Sequence, residues 1–447
     1  MTTPPLLAVV LLWFVIATAF IIWRWLAGRG VGLVVSIILG LSGIHWIAAT
    51  LYLLPWYQNF DRDLVNTGLW VAFQGLCAFC LGAVMASRVR AVEAVEDRHA
   101  VRSVESFGWA YIIVGIIMYA FLWPRVGRIA SLGALVAAGS SYIVLGICLR
   151  CWRADGPRQV RWVGASALLP MVTILTQGYL SYGLAALAAV AAFTAELIKS
   201  RTKLLLAGLA ISYVTMSFYV TYMRDRTEIR DVVWSGAAAN RRIDLVGGSV
   251  QNFEWFDPRN EYHLERIDDR LNQDFFVGMA VDRLRRGLVP YGNGETVKEA
   301  FMAVLPRALW PDKGVIAGSS DIVSRFTGMR FVEGTSVGVG LVMEMFVNFG
   351  APGVWLGFAL FGALLMLIDE RARLCLEHGD ATRFAVWYLP GSALLQLCGG
   401  SLVDATASAG AGVVSVLLVN AILMTVPIRR SRLPAESGVR AQRERIV

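Results

Sequence analysis

Apolar stretches dominate the first half of the chain. Segments near 5–24, 31–54, 67–86, 107–123, 129–149, 163–178, 180–198 and 204–222 approach the length of about 20 apolar residues that crosses a hydrocarbon core. The first has neither a basic leading region nor a small-residue cleavage site, so it reads as a span rather than a signal peptide. From Met223 to about Thr335 the pattern changes. Charges of both signs crowd "MRDRTEIRD", "EYHLERIDDRLNQD" and "VDRLRRG", and no segment there could span. The stretch "IDDRLNQDFFVGMAVDRLRRG" keeps helical apolar spacing, and its aromatic content argues against disorder. The expectation is a small folded cap. "SVGVGLVMEMFVNFG" (Ser336 to Gly350) is apolar again, but short for a span, and it contains Glu344 and Asn348. It reads as a re-entrant or interfacial helix ended by "GAPG". Further spans follow near 353–369, 384–402 and 409–427.

Charge in the connecting loops sets the expected orientation. "RVRAVEAVEDRHAVR" (Arg88 to Arg102), "RCWRADGPRQVR" (Arg150 to Arg161) and "KSRTK" (Lys199 to Lys203) are basic, and they alternate with loops that are short or poor in cations. By the positive-inside rule the N-terminus lies outside and the large loop is extracytoplasmic. If Ser336 to Gly350 does not cross, "RARLCLEHGDATR" and the basic tail "RRSRLPAESGVRAQRER" both fall inside. The reading is thus an all-α polytopic membrane protein of about eleven spans. Residues 1–222 form an N-terminal bundle of about eight spans, 223–335 the large loop, 336–350 the re-entrant segment, 351–427 the C-terminal spans and 428–447 a basic cytoplasmic tail.

Composition agrees. Of 447 residues, 56% are hydrophobic and 17% charged, below the roughly 25% charged of globular domains. The formal net charge of +8 would suggest nucleic acid in a soluble protein. Here the excess lies in short loops, as a topology signal, and no nucleic-acid partner is expected. Two cysteine pairs have CxxC spacing, Cys77 with Cys80 and Cys148 with Cys151, but they sit in or beside spans with no histidine near in sequence. They read as small hydrophobes, not metal ligands. No Walker loop or GxGxxG fingerprint implies a nucleotide cofactor, and no HExxH or nucleophile elbow implies a protease or hydrolase.

Four groups carry candidate chemistry. In "YMRDR", Arg224 and Arg226 leave the eighth span where a lipid headgroup would sit. They are either snorkelling cations or a clamp on a lipid-linked pyrophosphate, which guanidinium grips bidentately. In "LPRALWPDKG", Arg307 and Lys313 flank Trp310 within a turn stiffened by Pro306 and Pro311. That turn is an interfacial anchor or an anion site. Glu344 and Asn348 lie four apart and share a helical face, as a structural pair or around a general base. His263 in "EYHLER" is a surface histidine or a second candidate base.

"LPRALWPDKG" followed by "TSVGVGLVMEMFVNFGAPG" resembles the O-antigen and exopolysaccharide repeat-unit polymerases (the Wzy-type family). Members carry a "PRxLWPxKP"-like turn and then a "GExYxNFGxxG"-like segment. The likeness runs through Pro306, Arg307, Trp310, Pro311 and Lys313, then Glu344, Asn348, Phe349, Gly350 and Gly353. Gly314 replaces the second proline, and Met343 stands where a glycine is usual. The resemblance implies a GT-C-like fold and a glycosyltransferase of the bacterial inner membrane. It would polymerise undecaprenyl-pyrophosphate-linked oligosaccharides on the periplasmic side, beside chain-length regulator and flippase proteins in the same bilayer. Arg224, Arg226, Arg307 and Lys313 would hold the pyrophosphate, Glu344 or His263 would act as base, and Trp310 and Asn348 would support them. No metal is needed if arginines carry the charge. A glycan ligase with the same donor is the neighbouring alternative, and a transporter a more distant one.

Overall fold

The computed structural model describes residues 3–28, 30–88, 104–127, 129, 132–152, 154, 156–198, 200–304, 319–331 and 337–425. All the regular elements among them are helical: α1 (Leu6–Ala27), α2 (Leu33–Leu51), α3 (Arg62–Ser87), α4 (Ser106–Val126), α5 (Leu135–Trp152), α6 (Gly156–Ser166), α7 (Leu169–Gln177), α8 (Ser181–Ala195) and α9 (Arg201–Trp234). The chain continues through α10 (Ala239–Gln251), α11 (Glu261–Leu271), α12 (Gln273–Arg285), α13 (Glu295–Ala303), α14 (Ser319–Thr327), α15 (Gly340–Glu377), α16 (Ala381–Ala393) and α17 (Leu402–Thr425). Eight of these, α1 to α5, α9, α15 and α17, are long and apolar enough to cross a membrane. The chain is an all-helical membrane protein by that measure.

Local chemistry explains the boundaries. α1 is a continuous apolar run closed by Gly28 at φ 58°, the left-handed conformation that glycine adopts without a side-chain clash. α3 begins at Asp61, whose carboxylate accepts from the amides of Asp63 and Leu64. In α15 the helical path breaks at Gly350 (φ 67°, ψ −159°) two residues before Pro352, so the "GAPG" stop falls where the sequence places it. Beyond it the helix runs on without interruption to Glu377.

Two differences from the sequence expectation matter. The eighth apolar segment does not end at Tyr222, because its helix continues as α9 to Trp234 and carries the charged "RDRTEIRD" on helical faces. The segments expected near 163–178 and 384–402 are each divided. The first is split between α6 and α7, and the second between α16, a 3₁₀ turn at Leu394–Cys398 and the start of α17.

The core is built on α3 against α15, with α12 of the large loop packed on both. Glycines permit the close backbone approach. A Cβ on Gly82 would collide with the backbone of Ala359, and one on Gly362 with that of Phe79. The same reciprocal contact joins Gly68 to Asp274 and Gly278 to Leu64. Small residues at helix crossings are how membrane helices approach closely. The second pair wedges α12 into the bundle, so this part of the loop is not a separate cap.

Buried charge ties the same elements together. Arg24 of α1 is 1% exposed and bonds Asp369 of α15 at 2.7 Å, while the other Asp369 oxygen accepts from the amides of Val31 and Leu33. Cys148 and Cys151 are buried free thiols, and Cys148 lies 3.4 Å from the Tyr388 hydroxyl.

Candidate functional site

The C-terminal end of α9 presents two chemically different faces. Tyr222, Arg226 and Arg230 recur at four-residue intervals on one of them. Arg230 is nearly buried, its guanidinium lying 4.7 Å from the Tyr179 ring centroid and 5.3 Å from that of Trp234. The Tyr222 hydroxyl donates to the Gly178 carbonyl at 2.8 Å, fixing this face against the end of α7. Arg226 is half-buried beside Tyr219 and Tyr222, within electrostatic reach of Arg230 and of Arg270 on α11. It makes no ion pair or hydrogen bond among the described residues. Three guanidiniums within electrostatic reach of one another, beside aromatic rings, give a positive patch suited to a multiply charged anion.

The opposite face treats Arg224 differently. Its fork bonds both Asp225 oxygens at 2.8 Å, and Nη1 also bonds Glu254 at 2.5 Å and the Asn252 carbonyl at 2.9 Å. Two carboxylates therefore neutralise the cation expected to grip a pyrophosphate. His263 belongs to the same network and is only 5% exposed. Its Nδ1 accepts from the Asp257 amide at 3.1 Å, which leaves the proton on Nε2, 3.4 Å from the second Glu254 oxygen. Glu254 joins two residues that sequence reasoning had singled out separately, and it was itself missed. Nothing in "NFEWFD" distinguishes it from a surface carboxylate.

Glu344 and Asn348 do share a helical face, before the break in α15, and both are fully buried. Asn348 Nδ2 donates to the Thr296 hydroxyl and to the Glu344 carbonyl, each at 2.8 Å, and its Oδ1 accepts from the Gly294 amide at 2.9 Å. This amide holds the turn into α13. One Glu344 oxygen accepts from the Leu402 amide at 2.7 Å, placing a carboxylate at the positive N-terminus of α17. The other oxygen makes no well-formed hydrogen bond among the described residues, although the Thr296 hydroxyl lies beside the carboxylate. Arg307, Trp310 and Lys313 lie outside the described residues.

These groups are linked through α8. Tyr182 lies within electrostatic reach of Arg270 on one side and of Asp404 on the other, and Asp404 lies within reach of Glu344. Arg230 and Arg270 were not among the sequence candidates. The spacing of Arg226 and Arg230 could have shown the first, but Arg270 is 44 residues from Arg226 in the chain and only folding reveals it. Comparison of the chain with protein-family models, curated proteins and solved structures finds no match.

Proposed function

We propose that the chain is a glycosyltransferase of the bacterial inner membrane that polymerises undecaprenyl-pyrophosphate-linked oligosaccharide repeat units on the periplasmic side. The observation that carries this reading is Arg226, which makes no ion pair or hydrogen bond among the described residues and lies within electrostatic reach of Arg230 and Arg270. In this reading the arrangement is GT-C-like, with about eleven crossings and Ser336 to Gly350 as the re-entrant or interfacial segment. The N-terminus then lies outside and the C-terminus in the cytoplasm.

The terminal hydroxyl of an incoming lipid-linked unit attacks the anomeric carbon of the growing chain. A glycosidic C–O bond forms, the C–O bond to the pyrophosphate breaks, and undecaprenyl pyrophosphate leaves with the electron pair. The guanidiniums of Arg226, Arg230 and Arg270 offset the charge that develops on the leaving group. The hydroxyl proton passes to Glu344, the base candidate with an oxygen that makes no hydrogen bond among the described residues, whereas His263 has both ring nitrogens engaged. Glu344 is closed to solvent in this conformation, so the acceptor enters by displacing the side chains that cover it.

The test is reconstitution of the purified protein with a synthetic undecaprenyl-pyrophosphate repeat unit, comparing wild type with Arg226→Ala and Arg307→Ala. A ladder of glycans from wild type and its loss in Arg226→Ala is the expected result. A ladder undiminished in Arg226→Ala removes the cluster from the reaction. No ladder, with transfer to another acceptor instead, makes the protein a ligase using the same donor.

A further inference from the structure

α9 and α10 part to leave an open cleft of about 900 Å³, within the roughly 300–1,000 Å³ range of small-molecule sites. Its charged lining is Arg224 and Arg241 against Asp225, Glu228, Asp244 and Glu254, two guanidiniums facing four carboxylates. From the described residues it is formally two charges negative, the wrong sign for a phosphate. The Arg224 fork and Glu254 are held rigid by their mutual bond, while Glu228 and Asp244 make no hydrogen bond or ion pair among the described residues. Ser249 and Asn252 add a hydroxyl and an amide, and Phe253 adds an apolar surface.

The floor of the cleft carries a second observation. Gly248 sits inside α10, where glycine weakens a helix relative to alanine. Its φ is not positive, and a Cβ built on it meets no atom of the described residues within 4 Å. Neither a turn nor a close protein contact calls for glycine at this position, and the space it leaves opens into the cleft.

We infer that this cleft is a carbohydrate subsite, taking a neutral, polyhydroxylated ligand. Sugar hydroxyls both donate and accept, so one ligand answers the Glu228 and Asp244 carboxylates and the Arg241 guanidinium, whereas a polyamine only donates and leaves Arg241 unmatched. A pyranose face also suits the Phe253 ring. Arg224 and Arg226 are two residues apart and point to opposite sides of α9, so the bound sugar lies across the helix from the guanidinium cluster. The cleft thus holds a sugar remote from the reacting carbon, along the glycan chain. This rests on the glycosyl-transfer reading above, which supplies the identity of the sugars.

The experiment uses the full-length protein in lipid nanodiscs. The probe is the repeat-unit oligosaccharide released without its lipid from the host cell's surface polysaccharide, and binding is read by saturation-transfer NMR. Wild type binds, and Gly248→Phe, which fills the cleft without altering a charge, weakens binding at least tenfold. The Glu228→Gln/Asp244→Asn double variant gives the same loss without added bulk, and inorganic pyrophosphate binding is unchanged in both. Failure of the wild type to bind, binding that survives Gly248→Phe, or displacement of the sugar by equimolar spermine each overturns the subsite. Lipid-linked units separate this inference from the reading it rests on. A ladder of undiminished length from Gly248→Phe sinks the cleft and leaves polymerisation standing. No ladder from wild type, with sugar binding lost in Gly248→Phe, supports the cleft and sinks polymerisation.

Discussion

His45 Nδ1 and Asp274 Oδ1 lie 2.7 Å apart with neither side chain exposed, joining an early membrane helix to the large loop. His45 sits in a π-helical segment, Ser42–Trp46, of the kind often found where a helix is bent to aim a side chain. Its Nε2 and the second Asp274 oxygen have no partner among the described residues. Beside this pair, Asp268 accepts hydrogen bonds from Tyr52, Tyr57, Asn59 and Asn272. The loop helices α11 and α12 are therefore held to the bundle by polar contacts as well as by glycine packing.

Burial pushes the Asp274 carboxyl up to about 6, with His45 opposing the shift. An unfolded aspartate titrates near 3.9. The folded state thus binds this proton more tightly, and the stability it contributes is present below about pH 4 and lost as pH rises through about 6. Thermal unfolding of the detergent-solubilised protein should show wild type gaining on Asp274→Asn as pH falls from 7 to 5. The gain over that window is about 1 kcal/mol, of the roughly 3 kcal/mol reached below about pH 4. Parallel pH profiles for the two proteins would show that Asp274 does not titrate in this window.

Breaking the buried Arg24–Asp369 pair from one side leaves an uncompensated charge, at a cost of about 3–5 kcal/mol. Asp369→Leu should accordingly express poorly or unfold at a much lower temperature. The Arg24→Met/Asp369→Asn double variant should recover most of the loss, because asparagine still accepts from the Val31 and Leu33 amides. A double variant no more stable than the single one would mean that the ion pair itself, rather than avoidance of a lone charge, stabilises the bundle.

Gly82→Ala should destabilise by about 1–3 kcal/mol, since its new methyl meets the backbone of Ala359. Gly164→Ala is the control. Among the described residues nothing lies within 4 Å of a Cβ on that glycine in α6, and alanine there should be neutral or stabilise by up to about 1 kcal/mol. Thermal shifts of the two variants in one detergent decide the matter, and equal shifts would contradict the packing described for α3 and α15.

Glu344→Gln retains an oxygen for the Leu402 amide, so its unfolding temperature should stay close to wild type. Its turnover should fall at least 100-fold if the carboxylate takes the acceptor proton. Glu344→Ala should lose both. A Glu344→Gln protein that turns over at the wild-type rate would reduce Glu344 to a cap on α17.

What the sequence determined by itself is everything that depends on neighbours in the chain. Apolar run length settled the all-helical membrane class, glycine with proline settled the break at Gly350, and the four-residue interval put Glu344 and Asn348 on one face. The same local logic misplaced the end of α9, because a helix does not stop where its residues become charged. Capping and breaking residues end helices, and "RDRTEIRD" contains neither glycine nor proline. Only the tertiary structure decided which charges meet. Arg24 and Asp369 are 345 residues apart, and His45 and Asp274 are 229 apart. Arg224 and Arg226 look alike in the sequence, yet folding gives one two carboxylates and the other two more arginines. Coulombic pairing depends on distance in space, and a chain folded through many helices sets that distance independently of spacing in the sequence.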